Sequence, residues 1–158
     1  EFLLQKAAAG GFSVTLVKLL LEEFPESCLT RDENGMIPLH HACENTACQI
    51  DVIMALIDAA PESCTTIDNQ GRTPSQLFQQ VVSCKDDKGM FLLHHVAAHY
   101  KGLSVFSLNW LISSFPESIS TPDTHRMLPF HHACLNEASP PDILMLLIKL
   151  CPESIVYS

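Results

Sequence analysis

The stretch Asp32-Glu33-Asn34-Gly35-Met36-Ile37-Pro38-Leu39-His40-His41-Ala42-Cys43 writes a turn and the start of a helix side by side. Asp-Glu-Asn-Gly is turn chemistry, because Gly35 takes a positive φ without steric cost and Asn34 nearly so. Pro38 then suits the first turn of a helix, where its missing N–H has no partner to lose. Leu39, Ala42 and Cys43 fall at helical spacing and give this short helix one apolar stripe.

Outward from this stretch the pattern repeats. Pro-Glu-Ser stands at Pro25, Pro61, Pro116 and Pro152, at intervals of 36, 55 and 36. Asp32, Asp68 and Asp123 each follow one of these prolines by 7 residues, and Gly35, Gly71 and Arg126 follow the aspartates by 3. The doublets His40-His41, His94-His95 and His131-His132 begin 5 residues after Gly35, Gly89 and Arg126. Asp86 to Gly89 repeats the Asp-x-x-Gly turn only 18 residues after Asp68, which accounts for the long interval. The units are therefore 1–31 (partial), 32–67, 68–85 (truncated), 86–122 and 123–158.

Each full unit carries a second, more apolar helix. Ile50, Ile53, Leu56, Ile57 and Ala60 follow the i, i+3, i+4 rule, as do Ile143, Leu146, Leu147 and Leu150. Ser13, Ser104 and Ser139 occupy N-cap positions, and Pro61 and its equivalents end each helix. No segment sustains a two-residue alternation, so the sequence predicts an all-α fold. A helix pair this short cannot bury its own apolar face and must stack on its neighbours.

Composition bounds the function. The chain has 158 residues, 47% hydrophobic and 17% charged, with a mean hydropathy of +0.17, which excludes a disordered tail. A net charge of −9 argues against nucleic-acid and anionic-membrane partners. No apolar run approaches the roughly 18 residues of a membrane span, and no signal-peptide pattern is visible. Cysteines at 28, 43, 48, 64, 84, 134 and 151 form no CxxC pair and read as free buried thiols. With no N-glycosylation sequon, the expectation is an intracellular protein, cytoplasmic or nuclear. Residues Phe2 to Gly11 read as the end of a first helix without its turn, and the next turn aspartate would fall just past Ser158, so the expectation is a piece of a longer array.

Gly35-Met-Ile-Pro-Leu-His-His-Ala-Cys43 resembles the Gly-x-Thr-Pro-Leu-His-x-Ala-Ala signature of ankyrin repeats. Gly71-Arg-Thr-Pro74 matches its opening, and Phe91 to Ala97 and Leu128 to Cys134 match more loosely. The resemblance spans essentially the whole chain and implies an ankyrin-like α-solenoid of stacked helix pairs. It further implies that the first histidine of each doublet packs at a helix start and bonds to neighbouring turn backbone, and that the cysteine fills a small-residue position. The sequence also departs from the signature. Ile37, Phe91 and Leu128 replace the threonine kept at Thr73, Pro-Glu-Ser replaces Gly-Ala-Asp, and the period is 36 against the family's roughly 33. Ser75-Gln76 stands where Leu-His belongs, and an offset in the stack is expected near residues 75 to 90.

Several chemistries compete for the histidines. The sets His40, His41, Cys43 and His131, His132, Cys134, with His94, His95 and His99 between them, offer zinc-type ligands. Successive units about 10 Å apart would not converge on one ion, and packing explains the sets better. Cys43 with His40 lacks an orienting group and an oxyanion site for nucleophilic catalysis. Asp32 to Gly35 lacks the alternating acids of a calcium loop. A histidine pH switch is incidental in a chain so composed, and Trp110 reads as a packing residue rather than a partner contact.

What remains is surface. The second histidines His41, His95 and His132 should line the inner helices, and the turn tips Glu33, Asn34, Asn69, Gln70, Asp87, Lys88, Thr124 and His125 should project on the same concave side. The function expected is a non-catalytic protein-interaction module that binds a protein partner there, with no catalytic residues, no cofactor and no metal. Its acidity favours a basic or polar partner segment. The alternatives are structural zinc binding by the His-His-x-Cys sets, or a targeting domain for an enzyme whose catalytic part lies outside this stretch.

Overall fold

The computed structural model describes residues 3–11, 13–45, 50–83, 85–99, 101 and 104–155. It is all-α, with no strand among the described residues. The chain divides into two compact units, Glu1–Phe78 and Gln79–Ser158.

In the first unit, α1 (Leu3–Lys6) runs on through Ala7–Gly11 to Gly10, whose φ of 102° breaks the helix. Helices α2 (Val14–Glu23), α3 (Pro38–Glu44) and α4 (Ile50–Ala59) follow, and α5 (Pro74–Val82) begins within this unit. Helix α1 packs on α3 and α2 packs on α4, so first helices form one layer and second helices another, as in a solenoid. Val52, Ile53, Met54, Leu56 and Ile57 of α4 are all buried. At about 1.5–3 kcal/mol per buried aliphatic side chain, this helix contributes more to the unit's core than any other of its helices.

The second unit repeats the scheme with α6 (Leu92–His99), α7 (Val105–Ser114), α8 (Pro129–Leu135) and α9 (Pro141–Leu150). Here α6 packs on α8 and α7 on α9. Trp110 is buried in α7, as its apolar neighbours predict. Among the described residues no second helix intervenes between α5 and the turn at Asp86.

Pro-Glu-Ser does more than stop a helix. Pro25–Leu29, Pro61–Thr65, Pro116–Ile119 and Pro152–Ile155 are 3₁₀ turns. Phe24, Ala60 and Phe115, each preceding a proline, leave helical geometry, because the proline ring crowds the residue before it. The carbonyls of these three residues accept the N–H of Ser27, Ser63 and Ser118 and thereby start the tighter turn.

Ser13 and Ser104 cap their helices, accepting from the N–H of Leu16 at 3.5 Å and Ser107 at 3.1 Å. Ser139 does not. Pro141 takes the first helical position, which moves the N-cap to Pro140, a residue with no side-chain acceptor. Cysteines 28, 43, 64 and 151 are buried as expected, whereas Cys134 is exposed. Cys48 and Cys84 lie outside the described residues.

Candidate interaction surface

Four aspartates build the turns from which the exposed tips project. Oδ1 of Asp32 accepts the N–H of Asn34 and Met36, both at 2.9 Å. Asp68, Asp86 and Asp123 do the same for the N–H groups two and four residues on, at 2.8 to 2.9 Å. This side-chain mimicry of a backbone turn leaves the next-to-last position left-handed: φ is 72° at Gly35, 75° at Gly71, 69° at Gly89 and 60° at Arg126.

The other carboxylate oxygen recruits a base. Nε2 of His41, His95 and His132 donates to Oδ2 of Asp32, Asp86 and Asp123 at 2.8, 2.8 and 2.9 Å. The position equivalent to these histidines in the truncated unit is Leu77, and there Arg72 binds Oδ2 of Asp68 instead, Nε at 2.8 Å and Nη2 at 2.7 Å. Burial pushes the Asp32, Asp68 and Asp123 carboxyls upward, but the backbone N–H and basic side-chain partners outweigh it, and their pKa values stand below the ordinary carboxylate value. Asp86 is lowered chiefly by the Met90 N–H.

The first histidines cap helices in reverse. Nδ1 of His40, His94 and His131 accepts the N-cap N–H of Ile37, Phe91 and Leu128 at 3.3, 3.1 and 2.9 Å. Gln76 performs the same task, its Oε1 accepting from Thr73 N–H at 2.9 Å. An accepting Nδ1 leaves the proton on Nε2, and His40 Nε2 donates to the Arg72 carbonyl at 3.0 Å. Desolvation pushes the pKa of His40 and His94 down, so both are held neutral.

Tips of successive repeats are stitched together inside each of the two compact units. Asn69 donates its N–H to the Asn34 carbonyl at 2.9 Å and its side-chain amide to the Glu33 carbonyl at 3.0 Å. Thr124 donates its N–H and Oγ1 to the Lys88 carbonyl at 3.0 and 2.9 Å. Farther in, Asn45 and Asn136, each at the C-cap of a first helix, donate to the carbonyls of Ala9 and Ala97. These asparagines escape a sequence reading, though both stand 13 residues after their turn aspartate.

The expected contact residues therefore separate by role. Glu33, Asn34, Asn69, Gln70, Asp87, Lys88, Thr124 and His125 are exposed, while His41, His95 and His132 are partly buried against their aspartates. Lys88, His125 and His132 come together in a hollow of about 790 Å³ in the second unit, to which Asp87, His95 and Thr124 do not contribute. Met90, His99, Lys101, Leu135 and Glu137 also line this wall, beside Asp123, and none of the five was singled out by the repeat pattern as a contact residue.

Both ring nitrogens of His40 are engaged, so neither is left to take a proton from Cys43. Among the described residues no group of three or more His, Cys, Asp or Glu side chains is placed to hold a metal ion. No helix among them is long and apolar enough to cross a membrane.

No protein-family model and no curated protein matches the chain. Among solved structures the chain is similar to the Bd0816 predatory endopeptidase from Bdellovibrio bacteriovorus in complex with immunity protein Bd3460. The identity is 18%, the alignment covers 93% of this chain and 80% of that one, and the TM-score is 0.42.

Proposed function

We propose that the chain is a divergent ankyrin-type repeat module that binds a protein partner through its turn tips and first helices and has no catalytic role. The observation that carries this reading is the use of the titratable groups. The four turn aspartates and the histidines 40, 41, 94, 95, 131 and 132 are hydrogen-bonded into turns and helix starts, while the exposed tips Glu33, Gln70, Lys88 and His125 stand on that fixed frame. A preformed frame that presents exposed polar groups suits recognition, because little backbone order is left to impose on binding. The thiols of Cys28 and Cys64, pushed up by burial, the latter to about 11, suit packing better than nucleophilic attack. Buried thiols also fit a reducing compartment, and we place the module inside the cell.

A peptide-display selection against the full chain tests this. Alanine substitution of the tips Glu33, Gln70, Lys88 and His125 should weaken a selected peptide while leaving helical circular dichroism unchanged. Retention of binding in that variant, with loss on altering Leu19 of α2 or Met145 of α9, places the site on the second helices and refutes the assignment.

A further inference from the structure

The acidity of the chain is unevenly placed. The first unit holds 4 Lys and Arg against 11 Asp and Glu, net −7, whereas the second holds 5 against 7, net −2, with 6 of the 8 histidines. The hollow of the second unit concentrates the positive share. Lys88 stands at one turn tip, His125 at the next, and His99 and Lys101 at the end of α6. The corresponding positions of the first unit are Asn34, Gln70, Asn45 and Ala47, none of them cationic.

Two carboxylates share the wall, and they differ in what they can offer. The Asp123 side chain is 1% exposed and is already committed to the His125 and Met127 N–H groups and to His132. Glu137 alone is exposed, against two exposed ammonium groups. The hollow also has an apolar edge: Leu135 is 72% exposed, the most exposed large hydrophobic among the described residues, and the buried Met90 lines the hollow as well. The Thr124 bonds to the Lys88 carbonyl fix the spacing of the two tips before any ligand arrives.

We propose that this hollow binds a short acidic segment of a protein partner, its carboxylates meeting Lys88 and Lys101 and an aliphatic side chain meeting Leu135. The proposal rests on the reading of the chain as an interaction module and replaces the basic partner that net charge alone favours. A polyanion such as nucleic acid fits less well. It would extend past the hollow over a molecule carrying −9 and be repelled there, whereas a segment of a few acidic residues ends where the cationic wall ends.

The test is an amide-shift NMR titration of the full chain with a synthetic peptide of Asp, Glu and Ser around one Leu. Its Asn/Gln counterpart, its Lys/Arg counterpart and oligothymidylate are run in parallel. The acidic peptide should bind saturably, shift the amides of Lys88, Lys101 and Leu135, and weaken with salt. Lys88→Glu with Lys101→Glu should weaken it about tenfold or more, and Lys149→Glu on α9 should leave it unchanged, with helicity preserved in both. Preferential binding of the Lys/Arg peptide at these amides overturns the acidic assignment and leaves the interaction reading standing. Oligothymidylate binding with the same sensitivity to the lysine variants overturns the peptide assignment. Absence of any shift on these turns with all four probes overturns the hollow as a site and counts against the interaction reading as well.

Discussion

Arg72 holds the Asp68 carboxylate by Nε at 2.8 Å and Nη2 at 2.7 Å on the same oxygen that His41, His95 and His132 occupy in the other turns. The requirement met in all four turns is thus a donor on Oδ2, not a histidine. A turn carboxylate already bonded to two backbone N–H groups is fully satisfied only when its outer oxygen also has a partner, and the more buried the turn, the more that partner matters.

Burial ranks the four. Asp123 is 1% exposed in its side chain and Asp86 36%. Asp123→Ala leaves the N–H groups of His125 and Met127 and the His132 Nε2 without their acceptor and should cost about 2–3 kcal/mol. Asp86→Ala, where water replaces the carboxylate, should cost clearly less. Urea unfolding of the two variants checks the order, and equal losses would mean that burial does not set the strength of these turns.

The glycines are not equivalent either. A Cβ on Gly35 would run into the Asn69 side chain and lie 3.0 Å from the Asn69 backbone nitrogen, whereas one on Gly71 would meet nothing within 4 Å. Both sit at positive φ, so Gly71→Ala pays only backbone strain, about 1 kcal/mol, and Gly35→Ala pays that plus separation of the stitched turns. Arg126, at φ 60°, carries the same strain already. Arg126→Gly should stabilise the fold by about 0.5–1 kcal/mol, the relief exceeding the added freedom of the unfolded chain. Thermal melts of the three variants should rank Arg126→Gly above the wild type, then Gly71→Ala, then Gly35→Ala.

Acid should destabilise the protein in two windows. His40 and His94 are neutral in the fold, with pKa values lowered by burial, while in the unfolded chain they titrate near 6.5. The unfolded state therefore binds more protons below about pH 6.5, and stability falls from there until pH passes the lowered folded values. The turn aspartates, also lowered, contribute stability that is complete above about pH 3.9 and lost as pH falls through their folded values. The urea midpoint should thus begin to drop below about pH 6.5 and drop again below about 4. His40→Gln with His94→Gln copies the Gln76 solution to helix capping and should flatten the first drop. A midpoint that rises on acidification from neutrality would contradict the assignment of both buried rings as neutral.

Much of this was legible in the residues. The Asp-x-x-Gly turns, the helix-start prolines Pro38, Pro74 and Pro129 and the apolar spacing of α4 and α9 are local signals, and the helices lie where those signals put them. Ser139 misled because a double proline after it moves the helix start by one residue. The Asp–His pairing was written in a constant spacing of 9 residues, yet its role depends on which oxygen the backbone leaves open, which spacing alone does not show. The Arg72 substitute and the cationic hollow were harder still. Each depends on groups from separate segments meeting, and Lys101 belongs to no repeated motif.

The most direct test of the account is hydrogen–deuterium exchange of the full chain with and without a display-selected peptide. Binding through turn tips and first helices predicts slowed exchange in residues 32–45, 68–78, 85–99 or 123–138, with α2, α4, α7 and α9 unchanged. Slowed exchange confined to α7 and α9 would contradict it.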